Sequence, residues 1–173
     1  MKKDGQSNIF RLRTIGRALA FQALHQLELN PTSAPDWQTE LDLYDESEIE
    51  PLSDSDRRKA LEFAKKLYDG VVFRKVEIDE ALNNAFDKRR TLARTMLVDR
   101  SILRLAAYEL TYIKTPKPVV ISQAMELGKK FGDVGSAAFL NGVLDHLDKG
   151  KQVESQSFEN DGATRDSSEE RNA

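Results

Sequence analysis

The sequence predicts an all-α protein built as a compact bundle of helices, and three observations carry this prediction. Apolar residues recur at three- and four-residue steps over most of the chain, which is the spacing of one face of an α-helix. No stretch reads as a convincing strand, and the hairpin-type dipeptide Asn141-Gly142 lies within a helical pattern. Finally, Pro31 and the segment Pro116-Lys117-Pro118 separate helical stretches, because proline cannot continue a helix.

The first half of the chain predicts four helices. The first ends at Pro31, and residues 30–52 form an acidic connector with one short helix from about Asp36 to Tyr44. Ser53 resembles the capping residue of a third helix, which Gly70 is expected to bend or end. The apolar stripes of the first, third and fourth helices are Leu12, Ile15, Leu19, Ala23 and Leu27; Leu61, Ala64, Tyr68 and Val71; and Ile78, Leu82, Ala85 and Phe86.

The second half begins with residues 87–95, a polar and basic turn with a short helical piece. The next helix, from about Ile102 to Tyr112, is apolar on most sides, so we expect it to lie at the centre of the bundle. A further helix ends near Gly132, and Ser136 is the predicted N-cap of a last helix that ends at Gly150.

Composition excludes several classes of protein. The chain has 173 residues, of which 39% are hydrophobic, and no cysteine. This length fits one domain or two small subdomains with a shared core. The lack of cysteine excludes a disulfide framework, a thiolate metal site and a cysteine nucleophile. No apolar run is long enough to cross a membrane, and no signal-peptide core follows Met1, so we expect a cytoplasmic protein with no membrane partner.

Charge is distributed unevenly along the chain. The formal net charge is −3. Residues 1–150 are neutral in sum, whereas residues 151–173 carry six acidic and three basic side chains. Since residues 151–173 have almost nothing to bury, we predict that they form a disordered acidic tail. The acidic balance therefore does not argue against a basic, nucleic-acid-binding face on the folded body.

Signatures of catalysis are largely absent. The sequence has no phosphate loop of the Walker type, no GxGxxG and no HExxH, so we predict no enzyme, no metal ion and no cofactor. His25 and His146 are isolated histidines. Two basic groups stand out, and on spacing alone each is either a solvated helix face or a phosphate-binding group. They are Arg11, Arg13 and Arg17 on the first helix, and Lys88, Arg89, Arg90 and Arg94 in the basic turn.

Three blocks of sequence resemble the NusB family of bacterial transcription antitermination factors. They are RALAFQALHQLEL at 17–29, VDRSILRLAAYEL at 98–110, and VVISQAMELGKKFGDVGSAAFLNGVLDHL at 119–147. The resemblance implies a NusB-like bundle of about seven helices over residues 9–150. It also implies two helical subdomains, at about 9–86 and 87–150.

The resemblance also implies a function without catalysis. Members of the family bind the boxA element of nascent RNA, especially in ribosomal RNA leaders, as a heterodimer with NusE, which is also a protein of the small ribosomal subunit. The pair joins other Nus factors on RNA polymerase, and some members form homodimers that mask the RNA surface. We therefore expect boxA single-stranded RNA and NusE as partners, with a homodimer as an open alternative.

Family contacts carried onto this sequence define the expected site. The residues expected to bind RNA are Arg11, Arg13, Arg17, Gln22, His25 and Phe139. Asp99 and Glu109 are expected to bind the partner protein. The residues themselves leave other interpretations open: Phe139 as core, Gln22 as an exposed helix position, Asp99 as an N-cap, and Glu109 as a structural carboxylate.

The sequence departs from the family pattern at several positions. Thr14, Ile15 and Gly16 stand where the family often has more basic residues, and Gly135 and Ala138 replace an acidic and a basic residue. We therefore expect weak RNA binding alone and tighter binding with NusE. A protein-only adaptor, or a masked homodimer that has lost RNA binding, is the alternative. Certain ribosomal RNA cytosine methyltransferases begin with a similar domain, but they need a glycine-rich nucleotide-binding domain that this sequence lacks.

Overall fold

The computed structural model describes residues 3–45, 51–87 and 89–147, and throughout these ranges the regular structure is helical. The helices are α1 (Lys3–Leu29), α2 (Trp37–Asp45), α3 (Asp54–Phe73), α4 (Lys75–Ala85), α5 (Leu97–Tyr108), α6 (Lys117–Phe131) and α7 (136–147). A short 3-10 helix covers Leu92–Arg94, and a π-helical turn, Glu109–Ile113, continues α5. The all-α prediction is confirmed. The predicted tail at 151–173, Lys88 and the helix end at Gly150 lie outside the described residues.

Helix α5 is the centre of the bundle, as its apolar pattern predicts. It packs against α1, α3, α4 and α6. Its leucines Leu103 and Leu105 are almost completely buried, as are Leu19 on α1 and Leu144 on α7. Each leucine buried in this way contributes about 2 kcal/mol of hydrophobic stabilisation. No described helix is both long enough and apolar enough to cross a lipid bilayer. The division into subdomains at 9–86 and 87–150 stays a prediction.

Helices α1 and α3 approach closely because small residues face each other. A Cβ atom added at Gly16 would lie 2.9 Å from the backbone oxygen of Ala60 and 2.9 Å from Cδ1 of Phe63. Real Cβ atoms do not come this close to a backbone oxygen, so only glycine allows the two helices their present separation. This packing also brings Phe63 of α3 next to α1.

Gly70 does not end α3, which corrects that part of the expectation. The helix continues through Gly70 to Phe73. The glycine instead makes room for Tyr108 of α5, whose ring atom Cζ would lie 2.0 Å from a Cβ at this position. The requirement for a glycine at this position therefore comes from packing against α5 and not from the local backbone conformation.

The predicted helix caps have mixed outcomes. Ser53 is the N-cap of α3, and its hydroxyl accepts a hydrogen bond from the Asp56 amide at 3.2 Å, as expected. Ser136 is instead the first residue of α7, and its hydroxyl accepts from the amide of Asp133, 2.9 Å away in the preceding loop. Asp99 lies in the first turn of α5, whose N-cap is Met96, so the N-cap interpretation of Asp99 is also wrong.

An ion-pair network joins the end of α1 to α4 and α5. Arg104 donates to both carboxylate oxygens of Asp79 at 2.7 and 2.8 Å, and to Glu28 at 2.7 Å. Arg100 reaches the other oxygen of Glu28. Burial raises the pKa of Glu28, but the positive charges of Arg104, Arg100 and Lys75 outweigh it, so the net pKa lies below its ordinary value.

Candidate nucleic-acid interface

The six residues expected to bind RNA lie in three places in the fold. Arg11, Arg13 and Arg17 occupy the N-terminal part of α1, and Gln22 and His25 lie further along the same helix. Phe139 lies on α7. Each place has a different degree of exposure and a different set of neighbours.

Arg17 is a buried structural residue, which corrects its assignment to the RNA surface. Its Nε and Nη2 atoms donate to Oε1 and Oε2 of Glu109 at 2.7 and 2.8 Å, and the two side chains are 3% and 2% exposed. The Thr115 hydroxyl donates to Oε2 of Glu109 at 3.1 Å. The same geometry removes Glu109 from the partner surface and matches its other interpretation, a structural carboxylate.

Arg13 is exposed and keeps a defined position. Its guanidinium lies 5.6 Å from the ring centroid of Phe63 on α3, and that of Arg17 lies 5.4 Å from the same ring. Contacts of this kind hold an arginine over an aromatic face while its outer side stays open. Arg11 is half-buried. The N-terminal basic surface therefore rests on Arg11 and Arg13.

Two of the three positions with fewer basic residues than the family pattern face the core. Ile15 is 1% exposed, and Gly16 faces α3. A basic side chain at either position would be buried, so the loss of surface charge there is confined to Thr14.

An aromatic strip runs from the middle of α1 to the end of α6. The His25 ring stacks on Phe21 at 5.9 Å, and Phe21 contacts Phe131 at 5.0 Å. The ammonium of Lys130 lies 5.4 Å from the Phe131 ring. Beside this strip, Oε1 of Gln22 and Nδ1 of His25 are buried and have no hydrogen-bond partner among the described residues.

A second aromatic and basic surface surrounds Phe139, which is half-buried. Its ring stacks on Phe86 at 6.1 Å with an interplanar angle of 17°. The guanidinium of Arg90 lies 5.3 Å from the Phe139 ring centroid. Phe139 is thus neither a plain core residue nor fully exposed, and it lines a groove on the surface.

We call this surface the arginine–phenylalanine groove. It consists of two adjoining hollows of about 250 and 570 Å³ that share Arg90 and Phe139. The smaller is also lined by Arg89, Thr91, Arg94, Thr95, Met96 and Asp99. The larger is also lined by Asn84, Ala85, Phe86, Asp87, Ala138, Gly142, Val143 and His146.

Several charged groups of the groove lack a partner of opposite charge among the described residues. Arg89, Arg90 and Arg94 form no ion pair with any residue in the described ranges. Asp99 is 6% exposed, and its Oδ1 has no hydrogen-bond partner in the described part of the chain. The groove therefore offers unneutralised cations, stacked aromatic rings and one hydrogen-bond acceptor. It also brings Asp99, expected on the partner surface, next to Phe139, expected on the RNA surface.

Several contributors to the site are not among the expected RNA-binding residues. Arg89, Arg90 and Arg94 belong to the second basic group of the sequence, and the structure brings them to Phe139. Phe86, an aromatic residue directly before that basic group, has a weak sequence signal for such a role. Phe63 has none, because its position on α3 resembles that of any partly buried helix residue.

The sequence profile of the NusB family matches residues 14–149, which is most of the chain. The chain belongs to the NusB family. The transcription antitermination protein NusB of Anaeromyxobacter dehalogenans is 38% identical over 143 residues, covering 80% of this chain and 91% of the relative. The NusB protein of Myxococcus xanthus is 39% identical over 138 residues, covering 78% and 93%.

Solved NusB structures share the fold. NusB of T. maritima matches with a TM-score of 0.62 and 30% identity, over 79% of this chain and 90% of that one. A crystal structure of antitermination factors NusB and NusE in complex with double-stranded RNA matches with a TM-score of 0.62 and 29% identity, over 81% and 98%. The predicted resemblance to the NusB family is therefore confirmed. The matched residues include the Arg17–Glu109 pair and the arginine–phenylalanine groove.

Proposed function

We propose that this chain is a transcription antitermination factor that binds boxA RNA of nascent ribosomal RNA transcripts together with NusE. It acts by binding alone, without catalysis, in the cytoplasm, where it joins other Nus factors on RNA polymerase. Membership of the NusB family supports the process, and a relative solved with NusE and RNA supports the two partners. The observation that carries the proposal within this chain is the Arg90 guanidinium, which has no ion-pair partner in the described ranges and lies 5.3 Å from the Phe139 ring centroid in an open groove.

The groove has the chemistry that unpaired RNA requires. Single-stranded RNA is held by stacking of its bases on aromatic or guanidinium planes, and cations position its phosphates. Phe139 and Arg90 offer the two planes, and Arg89 and Arg94 offer cations that have no ion-pair partner among the described residues. Each stacked base contributes about 1–3 kcal/mol. We therefore assign bases to Phe139 and phosphates to the arginines around it.

A second part of the RNA path runs along α1. Arg13 supplies a phosphate contact from its position over Phe63. The half-buried side chains of Gln22 and His25 are assigned to base edges, where hydrogen bonds carry sequence preference. Arg11 adds charge, whereas Arg17 is excluded by its burial.

NusE is proposed to contact the groove at Asp99, one of its lining residues. This carboxylate lies in the same hollow as Phe139, so a protein bound there would touch the RNA site and extend it. Because the N-terminal basic surface is reduced to Arg11 and Arg13, we expect NusE to contribute a large share of the RNA affinity. The burial of Arg17 also favours the alternative of a protein-only adaptor or masked homodimer over strong RNA binding by the chain alone.

A titration of boxA RNA and a scrambled RNA, with and without NusE and at two salt concentrations, tests the proposal. The complex should prefer boxA, and Phe139→Ala should weaken boxA binding about tenfold through the loss of stacking. Phe73→Ala is the matched control, because Phe73 is 81% exposed and also lies under an arginine, with Arg74 at 5.2 Å. Equal affinity for both RNAs in the complex would reject RNA reading, and a concentration-dependent dimer without RNA binding would support the alternative.

A further inference from the structure

The arginine–phenylalanine groove lies beside the point where the chain leaves the described structure. His146 and Val143 of α7 line the groove, and the described residues end at 147. A segment with unusual composition follows in the sequence. Residues 152–161, QVESQSFEND, contain three carboxylates, one aromatic residue and no basic residue.

We propose that residues 152–161 bind in the arginine–phenylalanine groove of the same chain and compete there with RNA. Phe158 packs against the Phe139 and Phe86 rings. Glu154, Glu159 and Asp161 pair with the arginines of the groove. The competition with RNA rests on the proposed function, whereas the contact of the segment with the groove does not.

Charge and ring chemistry support this occupant. Arg89, Arg90 and Arg94 have no ion-pair partner in the described ranges, and the segment brings the same number of carboxylates. Arginine–carboxylate pairs are charge-assisted and frequently bidentate, so each of these arginines can donate two hydrogen bonds to a carboxylate of the segment. The segment also combines a planar ring with flanking negative charges. These correspond to the base and the phosphates of RNA, which the groove is proposed to bind. The segment is thus a chemical mimic of a short piece of RNA.

The geometry allows the contact without strain. Eleven residues lead from position 147 to Phe158. At 3.3–3.6 Å per extended residue they reach at most about 40 Å. His146 lines the groove itself, so a small fraction of that reach brings Phe158 to Phe139. Because the segment is tethered, its effective concentration at the groove is on the order of millimolar, and even a weak contact is populated.

A spin label tests the contact in the absence of RNA. The chain has no cysteine, so Ser157→Cys in the full chain provides a single attachment point. We expect the amide resonances of Arg90, Arg94 and Gly142 to broaden at low salt and to recover at about 0.5 M salt, where charges are screened. No selective broadening at low salt would overturn the proposal. Broadening that occurs only between separately labelled chains would also overturn it, because the contact would then be between copies.

A pair of matched variants tests the competition with RNA. Glu154→Gln with Glu159→Gln and Asp161→Asn removes the three carboxylates of the segment. Asp166→Asn with Glu169→Gln and Glu170→Gln removes an equal number near Arg165 and Arg171, away from Phe158. The first variant should bind boxA RNA about threefold more tightly, as expected for release of a tethered competitor, and should lose the broadening. The second should behave like the parent.

Equal tightening by both variants would attribute the effect to net charge and overturn the proposal. If no variant binds RNA, the proposed function fails, and the spin-label result still decides whether the segment occupies the groove.

Discussion

Arg17 and Glu109 form a bidentate ion pair across 92 positions of sequence, with both N–O distances below 3 Å. The pair joins α1 to the π-helical turn after α5 in the interior of the bundle. Both residues belong to motifs that indicate family membership. Because both are charged, the sequence alone suggests that they lie on surfaces that bind RNA or a partner protein. Their burial shows that this part of the family signature maintains the fold.

Removing one partner of this pair should destabilise the protein strongly. Glu109→Gln leaves the buried Arg17 guanidinium without a counter-ion, and we expect a loss of about 3 kcal/mol in the free energy of unfolding. Urea denaturation measures this loss, and the RNA affinity of the folded fraction should stay within about twofold of the parent. Arg13 is the exposed arginine one turn before Arg17, and Arg13→Ala should lower the free energy of unfolding by less than about 1 kcal/mol. Comparable stability of the Glu109 variant and the parent would contradict the structural role.

Arg13 should contribute to RNA binding mainly through charge. Arg13→Ala is expected to weaken boxA and scrambled RNA to a similar degree. It should also lower the slope of log affinity against log salt by about 0.7, the value for one phosphate contact with a single strand. Arg74→Ala is the control, because Arg74 is likewise placed over aromatic rings, at Phe73 and Tyr112. An unchanged slope for the Arg13 variant would remove this residue from the RNA path.

The ion-pair network at Glu28 should make stability depend on pH. Glu28→Gln is expected to cost about 1.5 kcal/mol at neutral pH, because charge-assisted hydrogen bonds from Arg100 and Arg104 are lost. The folded-state pKa of Glu28 lies below its ordinary value of 4.5. The stabilisation is therefore present above pH 4.5 and is lost as the pH falls through the lower, folded-state value.

Urea midpoints measured at a series of pH values check this prediction. The parent and the Glu28 variant should differ at neutral pH and converge in acid. Glu77→Gln, which breaks an exposed pair with Arg74, should differ little from the parent at every pH. A difference that persists below the acid transition of Glu28 would show that the network acts through packing rather than charge.

Replacing Lys114 by glycine should stabilise the folded protein. It has a φ of 60° and a ψ of 32° in the left-handed region at the end of the π-helical turn. A residue with a Cβ is strained there by about 1 kcal/mol, and glycine is not. Glycine also gives the unfolded chain more conformational entropy, which offsets part of this gain. Lys114→Gly should therefore stabilise the protein by about 0.5 kcal/mol net. Lys114→Ala keeps the Cβ, so a similar gain from alanine would exclude backbone strain as the cause.

Features controlled by a few neighbouring residues were predictable from the sequence. The helices, the Ser53 cap of α3 and the central position of α5 follow from the spacing of apolar residues and from capping chemistry, which act within one or two turns. Ser136 shows the limit of such reasoning. Serine suits an N-cap, but the loop before α7 offers its hydroxyl another amide, at Asp133.

The candidate site was predictable only in part. Phe139 and, separately, the basic group at 88–94 stand out in the sequence, but nothing in their spacing shows that Arg90 lies over the Phe139 ring. Gly70 and Tyr108 are a similar case, because the reason for the glycine lies on another helix. Contacts between residues far apart in sequence depend on how whole helices pack.

By itself, the sequence determined that this protein is a helical bundle of the NusB family with a basic and partly aromatic surface. Periodicity and motif order survive in the linear chain, so both could be read there. Only the tertiary structure decided which arginines reach solvent. Arg13 and Arg17 are one helical turn apart, yet the first lies open over Phe63 and the second is enclosed with Glu109. Both guanidinium groups lie over the same Phe63 ring, so the two arginines share one side of α1. They differ in their position along the helix, because Arg17 lies one turn further into the bundle, where Glu109 after α5 reaches it.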